Sequence, residues 1–320
     1  MSNKPYALGM DIGGTNTVCG VVDKDGNVLC TDSIKTQHYP ILEDYIAALT
    51  TMINGLCEKV GGKEKVQGLG VGAPNGNYYN GNIELAPNLP WKGIVIPFAK
   101  MVSESIGLPV RLTNDANAAA LGEMAYGVAK GMKHFIMITR GTGGGSGIVI
   151  DGKMVYGHDG FAGELGHTIV RQDGRTCGCG RKGCLEAYCS ATGIARTARE
   201  YVETTEIPSL LREIKPEDIT SKDIYDAAVQ GDELAIQIFR ETGTILGKAL
   251  ANFVVFSSPE AIVLFGGLAK AGDFIMKYTK EAMEANALPI FKGKTQLLLS
   301  GLKDADAAVL GASALGWEEE

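Results

Sequence analysis

The hydrophobic positions along the chain follow two different periods. The segments "YALGMDIG" and "VQGLGVGAP" are short and continuously apolar, and each predicts a buried strand. Residues 42–60 have the apolar spacing of a helix, and "TVCGVVDKDGNVLC" predicts two strands joined by an Asp-Gly turn. Because strand-like and helix-like segments alternate, the pattern predicts an α/β fold.

The order of elements in residues 7–29 recurs in residues 134–155. In both segments a strand enters a Gly-Thr turn, a second strand leaves it, and an Asp-Gly hairpin follows. We interpret this recurrence as an internal duplication of the fold.

The remaining segments continue the alternation. The strand "PVRLTND" precedes a helix that is predicted to begin immediately after Asp115, and residues 190–255 are mostly helical in pattern. "AIVLFGGLA" predicts a buried strand that ends at a glycine pair, and a strand at "TQLLLSG" is followed by a last helix from about Ala305. No low-complexity linker separates the halves, so we expect two lobes with a hinge near residue 120.

Composition and charge narrow the classes of partner. A net charge of -7 and a pI of about 5.3 argue against nucleic acid or a membrane surface, since both select for basic patches. No signal peptide is visible, and no apolar segment is long enough to span a bilayer. We therefore expect a cytoplasmic protein, in which the seven cysteines are not paired as disulfides.

Glycine-rich turns at strand ends are candidates for phosphate binding. Residues 11–16, "DIGGTN", and residues 141–147, "GTGGGSG", allow backbone N–H groups to approach a phosphate. Thr15 adds a hydroxyl group, and Asp11 can hold the Mg²⁺ that accompanies ATP. Neither turn matches a P-loop or a dinucleotide-binding motif, and one glycine turn is often only a turn. Their equivalent places in the two halves favour a shared ligand.

Asn114 and Asp115 stand between a strand and a helix. Asp115 can be the N-cap of that helix, or it can be a general base. The helix N-terminus would keep this carboxylate ionised, which makes it a weak base. Phosphoryl transfer asks little of a base, because its transition state is loose. The residues alone leave both interpretations open.

Three cysteines and a histidine have the spacing of a metal site. Cys177, Cys179 and Cys184 lie on a glycine-rich stretch, and His167 precedes the first of them by ten residues. Three thiolates and one imidazole form a complete tetrahedral zinc set, and four protein ligands leave no open position for a metal-bound water. The alternative is a set of unrelated buried thiols. The spacing favours a structural zinc.

Taken in order, these motifs resemble the ROK family of sugar kinases and repressors, within the actin-like ATPase superfamily. The resemblance rests on "DIGGTNT", "GAPN", "APNLPW", "NDANAAALGE", "GTGGGSG", "GELGH", "CGCGRKGCLE" and "FGGLA", which cover nearly the whole chain. The cysteine motif and "GELGH" are specific to the family, whereas the glycine turns suggest only the superfamily. The repressors carry an N-terminal winged-helix domain for which this sequence shows no residues, so the resemblance favours the enzymes.

The resemblance implies a two-lobed actin-like ATPase (ribonuclease H-like) fold, with duplicated βββαβαβα-type domains and a cleft between them. We expect a smaller lobe from residues 1–118 together with a C-terminal helix at 304–320. The larger lobe is expected to span residues 119–303 and to contain a zinc-binding loop at 164–189.

The resemblance also assigns roles to single residues. Asp115 is implied as the catalytic base for the sugar's 6-hydroxyl. The residues implied to bind the sugar are Asn88, Asn114, Asp115, Glu164, His167 and Glu186. The residues implied to bind ATP with Mg²⁺ are Asp11, Gly13, Gly14, Thr15, Asn16, Gly141, Thr142, Gly143, Gly266 and Gly267. The residues implied to ligate structural Zn²⁺ are His167, Cys177, Cys179 and Cys184.

The chain departs from the usual family pattern at Arg140, Gly144, Ser146 and Phe265, which lie in or beside the implied nucleotide-binding segments. The implied reaction is ATP-dependent phosphorylation of a hexose, with glucose favoured. Alternatives are N-acetylmannosamine, mannose, fructose or allose as the substrate, and a non-catalytic sugar sensor. A homodimer or homotetramer is implied. Because the metal would hold the sugar-binding loop, its removal is expected to weaken sugar binding rather than to abolish phosphate binding.

Overall fold

The computed structural model describes residues 4–139, 141, 143–302 and 304–318. In this part of the chain, no helix has both the length and the apolar composition needed to cross a membrane. The chain divides into two compact units. The first contains Met1–Met132, Gly147–Gly163 and Ser300–Glu320, and the second contains Lys133–Ser146 and Glu164–Leu299.

Strands and helices alternate as the apolar pattern predicts. The strands are β1 (Tyr6–Ile12), β2 (Thr17–Asp23), β3 (Val28–Ile34), β4 (Val66–Gly72), β5 (Ile83–Glu84), β6 (Val95–Ile96), β7 (Val110–Thr113), β8 (Phe135–Thr139), β9 (Ser146–Ile150), β10 (Lys153–Met154), β11 (Ala261–Phe265) and β12 (Gln296–Leu299). The helices are α1 (Leu42–Lys59), α2 (Phe98–Ile106), α3 (Asp115–Tyr126), α4 (Glu186–Cys189), α5 (Ala191–Thr204), α6 (Ser221–Val229), α7 (Glu233–Ser257), α8 (Asp273–Asn286) and α9 (Asp304–Gly316).

The first sheet has the strand order β3-β2-β1-β4-β7. Strand β1 is antiparallel to β2 and parallel to β4, and β4 is parallel to β7. Alternate residues of β1 face opposite sides. Leu8 and Met10 belong to the core cluster that includes Leu49 of α1, whereas a Cβ on Gly9 would lie 1.9 Å from the carbonyl oxygen of Val309 in α9. Both faces of β1 are therefore covered, which explains its nearly continuous apolar sequence.

The second sheet repeats this order as β10-β9-β8-β11-β12. Strand β11 is parallel to both β8 and β12, and β9 is antiparallel to β10. The parallel strands thus occupy the same positions as β1, β4 and β7 in the first sheet. The internal duplication is confirmed at the level of strand order.

The second unit has a helical core outside its sheet. Helix α7 packs against α8 so closely that a Cβ on Gly247 would lie 2.3 Å from the carbonyl oxygen of Thr279. Buried residues of α7, such as Leu234, Ile238 and Phe239, form one cluster with residues of α5, α6 and α8. One face of the 25-residue α7 is therefore apolar, while other positions along it are exposed.

The compact units have different bounds from the predicted lobes. Residue 120, the predicted hinge, and the predicted boundary at 118 both lie inside α3, which belongs entirely to the first unit. Helix α3 packs on α9, where a Cβ on Gly122 would lie only 2.7 Å from the Cα of Gly311. This close packing explains why the first unit continues through α3 to Met132.

Candidate active site

The first glycine turn connects β1 to β2. Within it, the N–H of Gly13 donates to the carbonyl of Asn16 at 2.9 Å. Thr36, which is fully buried, donates its hydroxyl to the carbonyl of Gly13 at 2.8 Å and its N–H to the carbonyl of Thr15 at 3.0 Å. Two hydrogen bonds from Thr36, which lies two residues after the end of β3, therefore hold the turn.

A buried hydroxyl network supports this contact. The side-chain oxygen of Thr17 lies 3.0 Å from that of Thr36 and 2.6 Å from the hydroxyl of Tyr45, and all three residues are inaccessible to solvent. Buried hydroxyls that satisfy one another fix their neighbours in a single arrangement. The turn thus has a rigid base made from β2, α1 and the residues that follow β3.

Gly14 brings the turn against the loop that carries Asn88. A Cβ on Gly14 would lie 2.6 Å from the carbonyl oxygen of Asn88 and 3.6 Å from its Cβ. Only a residue without a side chain allows this approach. Two groups that the sequence assigned to different ligands, one to the nucleotide and one to the sugar, are therefore adjacent in the first unit.

Asp11 and Asp115 form a pair of carboxylates in the same unit. Both lie close to Gly72 at the end of β4, where an added Cβ would be 3.8 Å from Oδ1 of Asp11 and 3.7 Å from the Cα of Asp115. Burial, together with the charge of Asp115, raises the pKa of Asp11 to about 6. Neighbouring anions without a counterion are unfavourable, so this pair forms a natural position for a cation.

Asp115 is the first residue of α3 and not its N-cap, so that interpretation of the sequence was wrong. The N-cap is Asn114, whose side chain accepts the N–H of Asn117 at 2.7 Å. Oδ1 of Asp115 accepts the N–H of the next residue, Ala116, at 2.9 Å. Because Asn114 already caps the helix, the carboxylate of Asp115 is not required for that purpose.

Two opposing contributions act on the carboxyl of Asp115. The helix N-terminus was expected to keep it ionised, and desolvation by surrounding protein atoms raises its pKa. Backbone hydrogen bonds, including that from Ala116, lower the pKa only in part. The side chain nevertheless keeps an exposed surface. Asp115 is therefore accessible and a better proton acceptor than an ordinary aspartate.

Two loops of the first unit are held together by hydrogen bonds and by stacked aromatic rings. The side-chain amide of Asn77 donates to the carbonyl of Asp159 at 2.8 Å, and the hydroxyl of Tyr79 donates to the carbonyl of Gly157 at 2.7 Å. The rings of Tyr78 and Tyr156 stack with centroids 3.9 Å apart. Residues 77–79 and 156–159 therefore form one continuous surface.

The second glycine turn follows β8 in the second unit. Arg140 and Thr142 lie outside the described residues, whereas Gly141 and Gly143 are described. The carbonyl of Gly141 accepts the N–H of Ala191 at 3.0 Å. A Cβ on Gly143 would lie 2.8 Å from Oε2 of Glu186. Residues from the start of α4 and α5 thus hold this turn.

Gly144 and Ser146, two of the departures from the family pattern, extend this support. The N–H of Gly144 donates to Oε2 of Glu186 at 2.8 Å, and Oγ of Ser146 accepts the N–H of Leu165 at 3.1 Å. A Cβ on Gly166 would lie 2.0 Å from the carbonyl oxygen of Gly144. The turn is therefore built onto the segment 164–191.

The glycine pair Gly266–Gly267 directly follows β11. Gly266 has φ +101°, a conformation that favours glycine, and a Cβ on Gly267 would meet no described atom within 4 Å. The protein itself therefore leaves one face of Gly267 open, as close approach of a ligand to the backbone requires. Phe265, the other departure, is the last residue of the strand and is half-buried.

The four predicted metal ligands are brought together. Ligand atoms of His167, Cys177, Cys179 and Cys184 all lie within 4.8 Å of one another. The Sγ atoms of Cys179 and Cys184 are 3.8 Å apart, and Nδ1 of His167 is 3.7 Å from Sγ of Cys177. A tetrahedral site with Zn–S bonds of about 2.3 Å requires S–S separations of about 3.8 Å, so the donor set fits zinc in type, number and spacing.

Charge on the thiols supports the same conclusion. Burial raises the pKa of the Cys177 thiol to about 12. Burial also opposes ionisation of Cys179, but the backbone N–H of Arg181 and the neighbouring thiols lower its pKa overall. Three thiols this close cannot all ionise at neutral pH without a cation between them.

His167 and Glu186 each make two different contacts through two atoms of the side chain. Nδ1 of His167 points to Cys177, while Nε2 lies 3.9 Å from Oε2 of Glu164. Oε1 of Glu186 lies 3.3 Å from Sγ of Cys177, and its Oε2 accepts the N–H of Gly144. The candidate metal ligands, the predicted sugar ligands and the second glycine turn are therefore directly connected within the second unit.

Sequence reasoning missed several supporting residues. They are Thr17, Thr36 and Tyr45 under the first turn, Gly72 beside the carboxylates, and Gly166 beneath the second turn. Gly68, Gly70 and Gly72 alternate along β4, and glycines at this period indicate a strand face on which other chain segments approach closely. Nothing local in the sequence marks the hydroxyl network, because its members are distant along the chain.

Comparison with known proteins agrees with this arrangement. The model of the ROK family matches residues 7–319. The chain is 38% identical to the glucokinase of Halalkalibacterium halodurans, covering 100% of this chain and 97% of the relative, and 34% identical to the glucokinase of Thermotoga maritima, covering 96% of each. The crystal structure of a ROK family glucokinase from Streptomyces griseus, in complex with glucose and AMPPNP, matches with a TM-score of 0.79 and 34% identity, covering 97% of this chain and 98% of that one.

Proposed function

Since this chain belongs to the ROK family, we propose that it is a glucokinase, which transfers the γ-phosphoryl group of ATP to the 6-hydroxyl of glucose. Relatives named glucokinase align with it over nearly their whole length, and the related Streptomyces griseus structure holds glucose and an ATP analogue. The observation that carries the proposal is the state of Asp115, an accessible carboxyl with a raised pKa that the helix does not need as a cap.

In this proposal Asp115 is the general base. The 6-hydroxyl oxygen of glucose attacks the γ-phosphorus and forms the new P–O bond, while the bond to the β,γ-bridging oxygen breaks. ADP leaves with that electron pair, and the hydroxyl proton passes to the carboxylate of Asp115. Because proton transfer is late in such a loose transition state, the carboxylate acts mainly by orienting the hydroxyl, and its raised pKa helps it to accept the proton.

Asn88, Asn114, Glu164, His167 and Glu186 are proposed to bind the sugar hydroxyls. Asn114 uses its side-chain oxygen to cap α3, which leaves its amide N–H groups to donate. His167 directs Nδ1 to the cysteines, so Nε2 is the nitrogen that can donate to a hydroxyl. The loops that contain Tyr78 and Tyr156 are joined to each other, and we propose that they set the choice of sugar.

The nucleotide is proposed to bind both glycine turns and the pair Gly266–Gly267. Asp11, with Gly13, Gly14, Thr15 and Asn16, would lie near the phosphates. Bound Mg²⁺ neutralises charge on the phosphates, and the carboxylate pair of Asp11 and Asp115 suits a cation at that end. Gly141, Thr142 and Gly143 would supply N–H and hydroxyl donors from the second unit.

We propose that the ion held by His167, Cys177, Cys179 and Cys184 is Zn²⁺. Four protein donors fill a tetrahedral zinc completely, so its contribution is to hold the segment from Glu164 to Glu186 in place and not to activate water. Cytoplasmic reducing conditions would keep these thiols available for the metal. Assembly as a homodimer or homotetramer stays a prediction, which light scattering of the purified protein tests.

ADP release measured with a panel of hexoses tests the proposal directly. The panel contains glucose, N-acetylmannosamine, mannose, fructose and allose, each with ATP and Mg²⁺. We expect the highest kcat/KM with glucose. Faster turnover of another sugar would reassign the substrate, and sugar binding without turnover of any sugar would identify a sensor.

A further inference from the structure

Helix α7 borders a cavity that the proposed reaction does not use. The cavity has a volume of about 380 Å³ and lies between α7, residues 169–171 and Tyr201 of α5. Volumes of this size accommodate small metabolites. All of its lining residues belong to the second unit.

The cavity is basic although the protein is acidic. Arg171, Arg240 and Lys248 line it, whereas Glu241 is its only acidic lining residue among those described. Glu241 accepts the hydroxyl of Tyr201 at 3.0 Å. None of the three cationic side chains has a carboxylate within ion-pair distance in the described part of the chain. In a protein of net charge -7, such an unpaired cluster concentrates a local positive potential.

A second depression continues the basic surface along α7. It has a volume of about 550 Å³, shares Arg240 and Lys248 with the first cavity, and adds Lys277 and one acidic residue, Glu281, of α8. The guanidinium of Arg240 and the ammonium of Lys277 lie 5.4 and 5.7 Å from the centre of the Tyr278 ring. The ring of Tyr278 therefore lies beside both cations, Arg240 and Lys277.

The lining is more specific than a solvated row of charges. Ile245 and Ala249 are buried and form an apolar floor, and Gln237, Thr244 and Asn252 supply amide and hydroxyl groups. On an ordinary solvated helix face, by contrast, the charged side chains do not surround a concave apolar surface. Cations suit a phosphate, while amides above an apolar floor suit a short polyhydroxylated carbon chain.

We propose that this cavity is a second binding site for a phosphate ester of a small polyol, the chemical class of sugar phosphates. Arg171 and Arg240 would bind the phosphate oxygens together with Lys248, and the amides would bind the hydroxyls. The site is separate from the residues that the proposed reaction requires.

One wall of the cavity leads directly to the metal cluster. The N–H of Val170 donates to the carbonyl of Gly183 at 2.9 Å, and Ile169 forms a bridge with Cys184, which is one of the cluster cysteines. A ligand that holds Arg171 therefore restrains the segment that carries His167. This gives the site a regulatory role, a change in the sugar KM when the ester binds, and that role rests on the proposed function.

Calorimetric titration of the metal-loaded, full-length protein tests the site independently of turnover. Glucose and a non-hydrolysable ATP analogue are added at saturation, and glucose 6-phosphate, inorganic phosphate and unphosphorylated sorbitol are then titrated separately. We expect the ester to bind with one equivalent per chain and at least about tenfold more tightly than inorganic phosphate.

The double variant Arg240→Gln/Lys248→Gln is expected to weaken ester binding by about tenfold or more, since it removes two charge-assisted contacts. The matched control Lys280→Gln/Lys294→Gln removes two exposed cations that do not line either cavity and is expected to bind as the wild type does. Turnover by the two double variants without ester is expected to be alike.

Three results would overturn the proposal. They are absence of ester binding to the saturated wild type, equal affinity for the ester and inorganic phosphate, and unchanged ester affinity in Arg240→Gln/Lys248→Gln. Failure of the proposed glucokinase activity would leave the binding measurement valid, because calorimetry measures ester binding without turnover.

Discussion

The two glycine turns occupy equivalent places in two sheets of the same strand order, but they are held in different ways. The first turn rests on its own sheet and on α1, through Thr36 and the buried hydroxyls of Thr17 and Tyr45. The second turn rests on a separate segment, through Glu186, Gly166 and Ser146. That segment is the one that carries the candidate metal ligands.

The comparison separates the features that the two units share from the features that differ between them. Strand order and the position of the turn follow from the packing of the sheet and recur in both units. Support for each turn comes from the chain that follows the hairpin, and this differs between the units. We therefore expect the second turn, and not the first, to depend on the metal. The sequence-based expectation was that metal removal weakens sugar binding rather than abolishing phosphate binding, and the contacts of the second turn add a weakening of nucleotide binding to it.

Asp115→Asn is expected to have the largest effect. Loss of the general base should lower kcat by about 100- to 10,000-fold, while glucose binding and metal content change little. Steady-state kinetics, glucose titration and elemental analysis measure these three quantities. Asp44→Asn, which removes an exposed first-turn aspartate of α1, is the matched control and should keep full activity. A near-normal kcat in Asp115→Asn would contradict the assignment of Asp115 as the general base.

Asp11→Asn is expected to stabilise the ligand-free protein while it impairs turnover. The folded pKa of about 6 exceeds the ordinary value of 3.8, so Asp11 costs no stability below about pH 4, and the cost develops as pH rises through about 6. The variant should therefore match the wild type at pH 4 and exceed it by at most about 3 kcal/mol at pH 8. Urea unfolding at both pH values measures the difference.

The same pKa predicts the pH dependence of the wild type. Its kcat/KM should fall as pH drops below about 6, because protonated Asp11 no longer attracts a cation. Equal stability of Asp11→Asn and the wild type at pH 8 would contradict the raised pKa of Asp11, which comes from burial and from the charge of Asp115.

Metal removal tests the difference between the turns most directly. Chelation, or Cys179→Ser, should reduce bound zinc from about one per chain to a small fraction and raise the KM of both glucose and ATP by about tenfold. Hydrogen exchange should increase at the N–H groups of Gly144, Leu165 and Ala191. It should not change at Gly13 or Thr36, whose partners lie in the first unit.

Cys30→Ser is the control, because Cys30 lies on β3 outside the cluster. Unchanged exchange at Gly144 after complete metal loss would show that the second turn is supported without the ion. Increased exchange at Gly13 would show that the two turns do not differ in this respect.

Thr36→Val is expected to have the smallest effect and to act only on the first turn. It removes the hydroxyl that contacts Gly13 and Thr17 while it keeps the shape of the side chain, at a cost of about 1 kcal/mol. Thermal unfolding and the KM for ATP should both report the loss, with bound zinc unchanged. Thr51→Val on the exposed face of α1 is the control. A fall in zinc content would contradict separate support of the turns.

Local pattern predicted the alternation of strands and helices and the members of the cysteine–histidine cluster. Strand burial, helix spacing and the two Gly-Thr hairpins predict the observed elements, for example α1 at Leu42–Lys59 and α9 from Asp304. The cysteine spacing predicts the cluster, because ligands within one short segment can meet through local turns. These features depend on neighbours in sequence, and neighbours in sequence are visible without a structure.

Properties that depend on distant parts of the chain required the folded molecule. The unit boundary after Met132 depends on the packing of α3 against α9, and the raised pKa of Asp115 depends on atoms that displace water around it. The contact of Glu186 with Gly144 joins residues 42 positions apart. Periodicity and motif spacing describe what each segment can form, whereas burial, electrostatic pairing and support of a turn arise only when separate segments pack together.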